Sequence, residues 1–458
     1  MKRIRNLHPS VLLLLGALLF GAMAMLCHRL LQNEEAYALV GRHVQTYQRV
    51  EHADGSWKAC KVQEPFTAPT DSNMLSWDAS HYNDIRQYLY SPDKMWAGYF
   101  AFFPLFPLMW RLAHVGPIGI AVLNYLLYAV GLAVMALLFR GSIPRWKFLL
   151  LLCAPMAVIY MIPYSEALFF ITIALGLYGI VSRRYWLFFV GFFLGCTTRA
   201  AGNILAVAFV ITDILIGLRN RDSITAMLRN ILRHLAPVVA AVLAVVVVQH
   251  LRGAEHWFEY VLSQQYWGKG LSWPSWPFTD WSHEGAAVSQ PLIFMLIVPA
   301  LLWLALQLWH AVRHQGAEPV DERYMLRLLS VLFFVGNVVL AAFTQHGCFF
   351  SQARLLSCTP FFAFLVVDMA AGQRSRRWQL LLLLAMVVSA GVVCFMPYLP
   401  GRTVAGSWLV YMLAVLVFFG EQLPRWLRNP LLALTIVLNI GWTAYLFNCF
   451  LTNGYVFT

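Results

Sequence analysis

Long apolar runs, separated by short polar or basic stretches, set the pattern of this chain. Runs near 10–31, 115–139, 147–163, 165–181, 185–199, 201–218, 234–251, 290–312, 327–345, 355–371, 378–396, 404–421 and 429–451 recur along it. A helix needs about 20 apolar residues to cross a hydrocarbon layer of about 30 Å. The pattern therefore predicts an all-α, polytopic integral membrane protein with about 11 to 14 transmembrane helices, organised as one transmembrane domain over residues 1–458. The first run follows Lys2, Arg3 and Arg5 as the h-region of a signal peptide would. It is long enough to span and has no clean small-x-small cleavage site near its end, so it reads as a first span.

Two polar stretches between runs are long. Residues 32–114 form a first connection with nine acidic residues, and 252–290 a second that contains "YVLSQQYWGKGLSWPSWPF". The first is expected to fold as short amphipathic helices over a cavity. Its "AFFPLFPLMWRLAHV" is apolar enough to tempt a reading as a span. Two prolines, Arg111 and His114 favour an interfacial or half-inserted helix instead.

Composition sharpens the class. Hydrophobic residues make up 60% of the 458 and charged residues only 12%, against about 25% charged in soluble domains. The net charge of +12 is compatible with nucleic-acid binding, but its distribution says otherwise. With the N-terminus inside and connections alternating, the inside segments hold 20 of the 33 basic residues and 7 of the 21 acidic ones. That asymmetry is the positive-inside signature and needs no nucleic acid. The eight cysteines show no metal-ligand spacing. Cys60 and Cys348 both map outside, which leaves a pairing open. No N-x-Ser/Thr sequon occurs.

The chemistry-bearing residues gather on the outer side. No inside connection exceeds about 16 residues and no phosphate-binding glycine loop occurs, so a cytosolic nucleotide has no site. In "SWDASHYNDIRQYLY", Asp78, His81 and Tyr82 stand at i, i+3 and i+4, one face of a helix, while Asp84 points elsewhere and reads as structural. Glu166 in "IPYSEALFF", Arg199 in "CTTRAAGN" and Arg354 in "SQARLLSCTP" fall at outer span ends, the arginines against the positive-inside bias. An arginine there needs a partner: a phosphate, whose oxygens its fork matches, or a structural carboxylate. Trp77, Tyr82, Gln264, Tyr266 and Trp267 are candidates to line a cavity or lipid entrance, or to form an ordinary interfacial aromatic belt.

Taken in order, "WDASHY", "AGYFAFFPLFPL", "PYSEALFF", "TRAAGN" and "QQYWGKG" resemble the GPI mannosyltransferase II (PIG-V-like) family of the GT-C superfamily of polytopic glycosyltransferases. The likeness covers residues 77 to about 270 and thins beyond, apart from "QARLLSCTP". The stretch between "WDASHY" and "AGY" is longer than the family pattern, and no acceptor signature is visible. The resemblance implies an inverting, metal-independent transfer, without a cofactor. A sugar, expected to be mannose, would pass from a polyprenyl-phosphate-linked sugar donor to a hydroxyl of a lipid or glycan acceptor. It implies Asp78 as the catalytic base, and Arg199, Arg354, His81, Lys269 and Glu166 as donor phosphate or sugar contacts. The expected location is the bacterial inner membrane with the site facing the periplasm, or the endoplasmic reticulum membrane with a lumenal site. Membrane lipids are expected partners and nucleic acid is not. Another GT-C transferase (protein O-mannosyl, lipid A aminoarabinose or arabinosyl type), a lipid transporter or flippase, and a non-catalytic scaffold remain open alternatives.

Overall fold

The structure, a computed structural model, describes residues 7–40, 46–51, 57–62, 64–139, 143–273, 286–313, 320–345, 351–372, 376–394 and 401–454. In chain order the elements are α1 (Pro9–Leu30), α2 (Glu34–Val40), β1 (Thr46–Glu51), β2 (Trp57–Val62), α3 (Asp78–Tyr88), α4 (Leu105–Ala113), α5 (Pro117–Leu137) and α6 (Arg145–Leu149). Then come α7 (Glu166–Val181), α8 (Tyr185–Thr198), α9 (Gly202–Asn220), α10 (Ile224–Leu251), α11 (Glu259–Leu262) and α12 (Ala286–Val312). The chain closes with α13 (Glu322–Thr344), α14 (Gln352–Ser357), α15 (Pro360–Ala371), α16 (Arg376–Cys394), α17 (Gly401–Phe419) and α18 (Arg425–Leu451). Among the described residues, seven helices are long and apolar enough to cross a membrane, and four shorter apolar helices accompany them. Apart from one short hairpin the protein is helical, and in class it is an integral membrane protein.

The two ends of the bundle separate by charge. At one end Arg145 donates to the Leu7 carbonyl, Lys147 pairs with Glu421, Arg183 with Glu322, and Arg323 and Arg327 with Asp368. At the other, the N-terminus of α5 takes Asp71 at the Ile118 amide, and Trp77 reaches the Gly454 carbonyl beyond α18. Arg252, after α10, donates to the Leu89 carbonyl at that same end. Consecutive long helices run between these ends, as the alternating basic segments require.

One expected span is not a helix. Residues 147–163 form the short α6, two 3₁₀ turns (Leu150–Cys153 and Ala157–Met161) and extended links. Pro155 and Pro163 remove amide donors and push Ala154 and Ile162 into extended backbone. Every residue from Leu150 to Ala167 is buried. Irregular backbone at such depth survives only where protein groups satisfy it. Asn439 of α18 donates to the Leu152 and Ala154 carbonyls, and Trp442 to that of Pro155. Asn124 of α5 donates to the Ile162 and Tyr164 carbonyls at 2.9 and 2.8 Å. Three polar side chains, mid-helix on α5 and α18, thus replace the missing helical bonds.

The segment delivers the chain to α7, which forms a tight antiparallel pair with α8. Gly176 and Gly179 face Gly191 and Phe188 so closely that a Cβ on Gly179 or Gly191 would meet backbone. Small residues allow this approach where apolar lipid gives helices no reason to associate. At about 1.5 Å per residue, their 16 and 14 residues reach only about 24 and 21 Å. The pairing sets Glu166, first residue of α7, beside Arg199, just past α8.

The first long connection, residues 32–114, departs partly from expectation. It holds the expected short helices, and α4 over "LFPLMWRLA" is too short to span. It also contains an antiparallel hairpin, Thr46 opposite Val62 through Glu51 opposite Trp57, which the apolar pattern did not announce. α10 begins at Ile224 rather than near 234, capped by Ser223 on the Ala226 amide. The pairing of Cys60 with Cys348 lies outside the described residues.

Candidate functional site

Two strained turns aim the principal charged groups at each other. Ser76 to Ala79 closes with an Ala79 N–H to Ser76 carbonyl bond, and Trp77 sits at φ 55°, ψ −133°. This is the first central position of a type II′ turn, normally glycine. Such backbone costs on the order of 1–3 kcal/mol and persists only when its surroundings hold it. The Trp77 indole N–H on the Gly454 carbonyl (3.2 Å) and the Ser80 hydroxyl on the Trp77 carbonyl (2.8 Å) do so. Asp78 is thereby the first residue of α3. Opposite, Ser351 at φ 62° launches α14, whose Ala353 amide is held by Ser289 Oγ at 2.9 Å, and α14 carries Arg354.

Arg354 joins two carboxylates through different nitrogens. Its Nη2 lies 2.9 Å from Asp78 Oδ2, and its Nε 3.0 Å from Glu166 Oε1. The same Glu166 oxygen contacts Arg199 Nη1. Glu166 Oε1, Arg199 Nη1 and Arg354 Nε are close but off the hydrogen-bond direction, and none has another partner among the described residues. The two guanidinium groups therefore sit beside the carboxylate as adjacent charges, each with one donor nitrogen unfilled among the described residues. Tyr164 presents its ring to the Arg354 guanidinium at 5.1 Å, and its hydroxyl lies at the Asp78 backbone.

The strap after α11 brings in a lysine. Ser263 and Trp267 bond the carbonyls of Ala97 and Gly98, and beyond them the Gly270 and Ser272 amides bond the Thr344 and Phe343 carbonyls. Between these anchors sits Lys269. Burial lowers its pKa, as do the charges of Arg354 and Arg199, against a smaller opposing effect from Asp78. For Asp78, burial pushes the carboxyl up, but Arg354, His81 and Arg199 together hold it below its ordinary value. Burial lowers the His81 pKa, only partly offset by Asp78 and Asp84. Arg199 and Arg354 thus face Glu166 and Asp78, with Lys269 electrostatically coupled to them.

Aromatic rings wall the site. His81 packs edge-on to Tyr99 and Trp267, with ring centroids at 5.3 and 5.0 Å, and against Phe102 at 5.2 Å. Its Nδ1 is buried without a hydrogen-bond partner among the described residues. Trp96 joins Trp267 and the exposed Tyr266.

The predicted residues therefore divide. Asp78, Glu166, Arg199, Arg354, Lys269, His81 and Trp267 meet at one place. Glu166, expected as a donor contact, is 3% exposed and engages the two arginines. Trp77 packs on the main core and secures α18, and Tyr82 is buried with its hydroxyl 2.8 Å from Ser165 Oγ, so these two support the site from behind. Gln264 caps its own turn on the Tyr260 carbonyl. Asp84 accepts from the Tyr99 hydroxyl at 2.7 Å. Tyr164, Tyr99 and Phe102 were missed. Tyr164 adjoins Ser165 and Glu166 in "PYSE", but nothing in the spacing tells a buried tyrosine on an arginine from one in an aromatic belt. Among the described residues, no three or more His, Cys, Asp or Glu side chains gather at metal-ligand spacing.

No family model, no curated protein and no solved structure matches this chain.

Proposed function

We propose that the protein is a membrane glycosyltransferase that takes a sugar, mannose in the first instance, from a polyprenyl-phosphate-linked donor. The carrying observation is the meeting of Arg199 and Arg354 with Asp78, Glu166 and Lys269 under an aromatic wall, with arginine nitrogens that lack a hydrogen-bond partner among the described residues. A polyprenyl phosphodiester bears one negative charge and a long apolar tail. Its charge fits the cluster and its tail fits the surrounding membrane. The ordered likeness of "WDASHY" through "QQYWGKG" to PIG-V-like transferases supports the same reading.

In this reading Asp78 takes the proton of the acceptor hydroxyl as its oxygen bonds the anomeric carbon. The bond from that carbon to the phosphate oxygen breaks on the opposite face, and the phosphate leaves as an anion held by Arg354, Arg199 and Lys269. Glu166 fixes the two arginines. The aromatic wall of Trp267, Phe102 and His81 excludes water and offers ring faces to a sugar. The site would face the periplasm of a bacterial inner membrane, the side opposite the basic segments.

The test is to incubate purified protein with radiolabelled polyprenyl-phosphate-mannose and a lipid extract from its source. Label should move to an acceptor with wild-type protein and stay put with Asp78→Asn. Label that remains on the carrier with folded wild-type protein overturns the reading.

A further inference from the structure

Asp78 in this structure is not free to act as a base, because Arg354 occupies it. The cluster is asymmetric in a way that suggests how it is freed. Glu166 is 3% exposed and touches both arginines, whereas the Asp78 side chain is 28% exposed and, among the described residues, touches only Arg354 within ion-pair distance. Arg354 reaches Glu166 with Nε and Asp78 with Nη2. An anion arriving on the Nη2 edge displaces Asp78 without disturbing the contact with Glu166.

Resting on the donor reading above, we propose that the donor phosphate replaces Asp78 on Arg354 and so unmasks the base. Glu166 is the fixed partner and positioning residue of the two arginines, and Asp78 is the exchangeable one. Before donor binds, the carboxylate is tied up and water is a poor target for it. Once the phosphate sits on Arg354, the freed carboxylate faces an acceptor hydroxyl. Transfer then breaks the anomeric carbon–phosphate oxygen bond, forms the anomeric carbon–acceptor oxygen bond and puts the hydroxyl proton on Asp78. The order is donor first, and it suppresses loss of sugar to water.

The charged and titratable groups around Asp78 set the sign. Arg354 on α14 and Arg199 past α8 stabilise its ionised form, as does His81 on its own helix when charged. Lys269 in the strap is coupled to it, Glu166 on α7 shares Arg354 with it, and Tyr164 and Tyr82 are neutral. Withdrawing Arg354 and adding a phosphate both favour the protonated carboxyl. Donor binding should therefore take up protons between about pH 4.5 and 6, where an ordinary carboxylate is largely ionised.

The experiment is calorimetric titration of the full-length protein in detergent with polyprenyl-phosphate-mannose, without acceptor, in two buffers of different ionisation enthalpy. This donor is a phosphodiester and does not titrate in that range. Proton uptake should appear with wild type and with His81→Gln and be absent with Asp78→Asn. Asp78→Asn removes the competitor for Arg354 and should bind donor more tightly, by roughly three- to tenfold. Uptake that persists in Asp78→Asn, or disappears in His81→Gln, assigns the proton to His81 and overturns the exchange. Donor bound by wild type without uptake overturns it while leaving the donor reading intact. An absence of binding removes the donor reading and this inference with it.

Discussion

The protein carries the same motif, two arginines on one buried carboxylate, at both ends of its bundle, and the two differ in what they leave unfilled. At the basic end Asp368 on α15 takes Arg323 Nε on Oδ1 and Arg327 Nε on Oδ2 at 2.6 Å, both as hydrogen bonds. Arg327 adds a second bond at 3.3 Å, and its guanidinium lies 5.9 Å from the Trp303 ring. At the other end Glu166 contacts Arg199 and Arg354 off the hydrogen-bond direction, and a second carboxylate, a lysine and the aromatic wall close around them. A buried ion pair alone is weak grounds for either stability or function. The Asp368 triad is saturated and ties α13 to α15. The Glu166 cluster keeps arginine donor nitrogens unpartnered among the described residues, which the proposed phosphate site would use.

The largest expected effect separates the two ends by chemistry. Asp78→Asn should lower transfer by about 10²-fold or more, with folding retained. Asp368→Asn strands two guanidinium groups and should cost stability of about 3–5 kcal/mol, seen in thermal melts. Turnover per folded molecule should hold. Loss of turnover in folded Asp368→Asn would erase the distinction.

Next is the phosphate contact. Arg354→Ala should weaken donor affinity by roughly 10- to 100-fold, the range for lost hydrogen bonds to a charged group. Arg354→Lys should recover part, since it keeps the charge and loses the fork. Arg323→Ala should leave donor affinity unchanged. Equilibrium binding with labelled donor checks all three, and equal effects at both ends would refute the assignment.

The pH dependence sharpens the picture of the aromatic wall. Burial lowers the His81 pKa in the folded protein, so the unfolded chain protonates first as pH falls below about 6.5. Stability attached to His81 is then full above that pH and drains away below it. Asp78 is shifted down, so its contribution persists to lower pH and is lost only below the ordinary carboxylate range. Between pH 7.5 and 5.5, melting of wild type should fall more than that of His81→Gln. An identical fall would place the sensitivity elsewhere.

The smallest expected effect is at Tyr99. Tyr99→Phe removes the bond to Asp84 and should cost about 1 kcal/mol in stability, with little change in turnover. A large loss of turnover would make Asp84 part of the site and not of its frame.

The apolar runs alone announce the membrane class, because about 20 greasy residues have few other places to go. The asymmetry of Lys and Arg announces which segments share an end, and the interleaving of Asp78, His81 and aromatic residues marks the outer segment as chemically unusual. Glu166, Arg199 and Arg354 also stand out singly, since charge at a span end needs a partner. Their convergence is another matter. Residues 78, 166, 199 and 354 meet only because a glycine seam sets α7 on α8, two residues with positive φ start α3 and α14, and Asn124, Asn439 and Trp442 hold an irregular crossing in place. The run at 147–163 has the hydropathy of a helix, and periodicity cannot say that its missing bonds are supplied from α5 and α18. Local composition determined where each group must reside, in lipid or at its boundary. Only tertiary packing decided which carboxylate owns which arginine, because ion pairing depends on distances of a few ångströms between segments hundreds of residues apart.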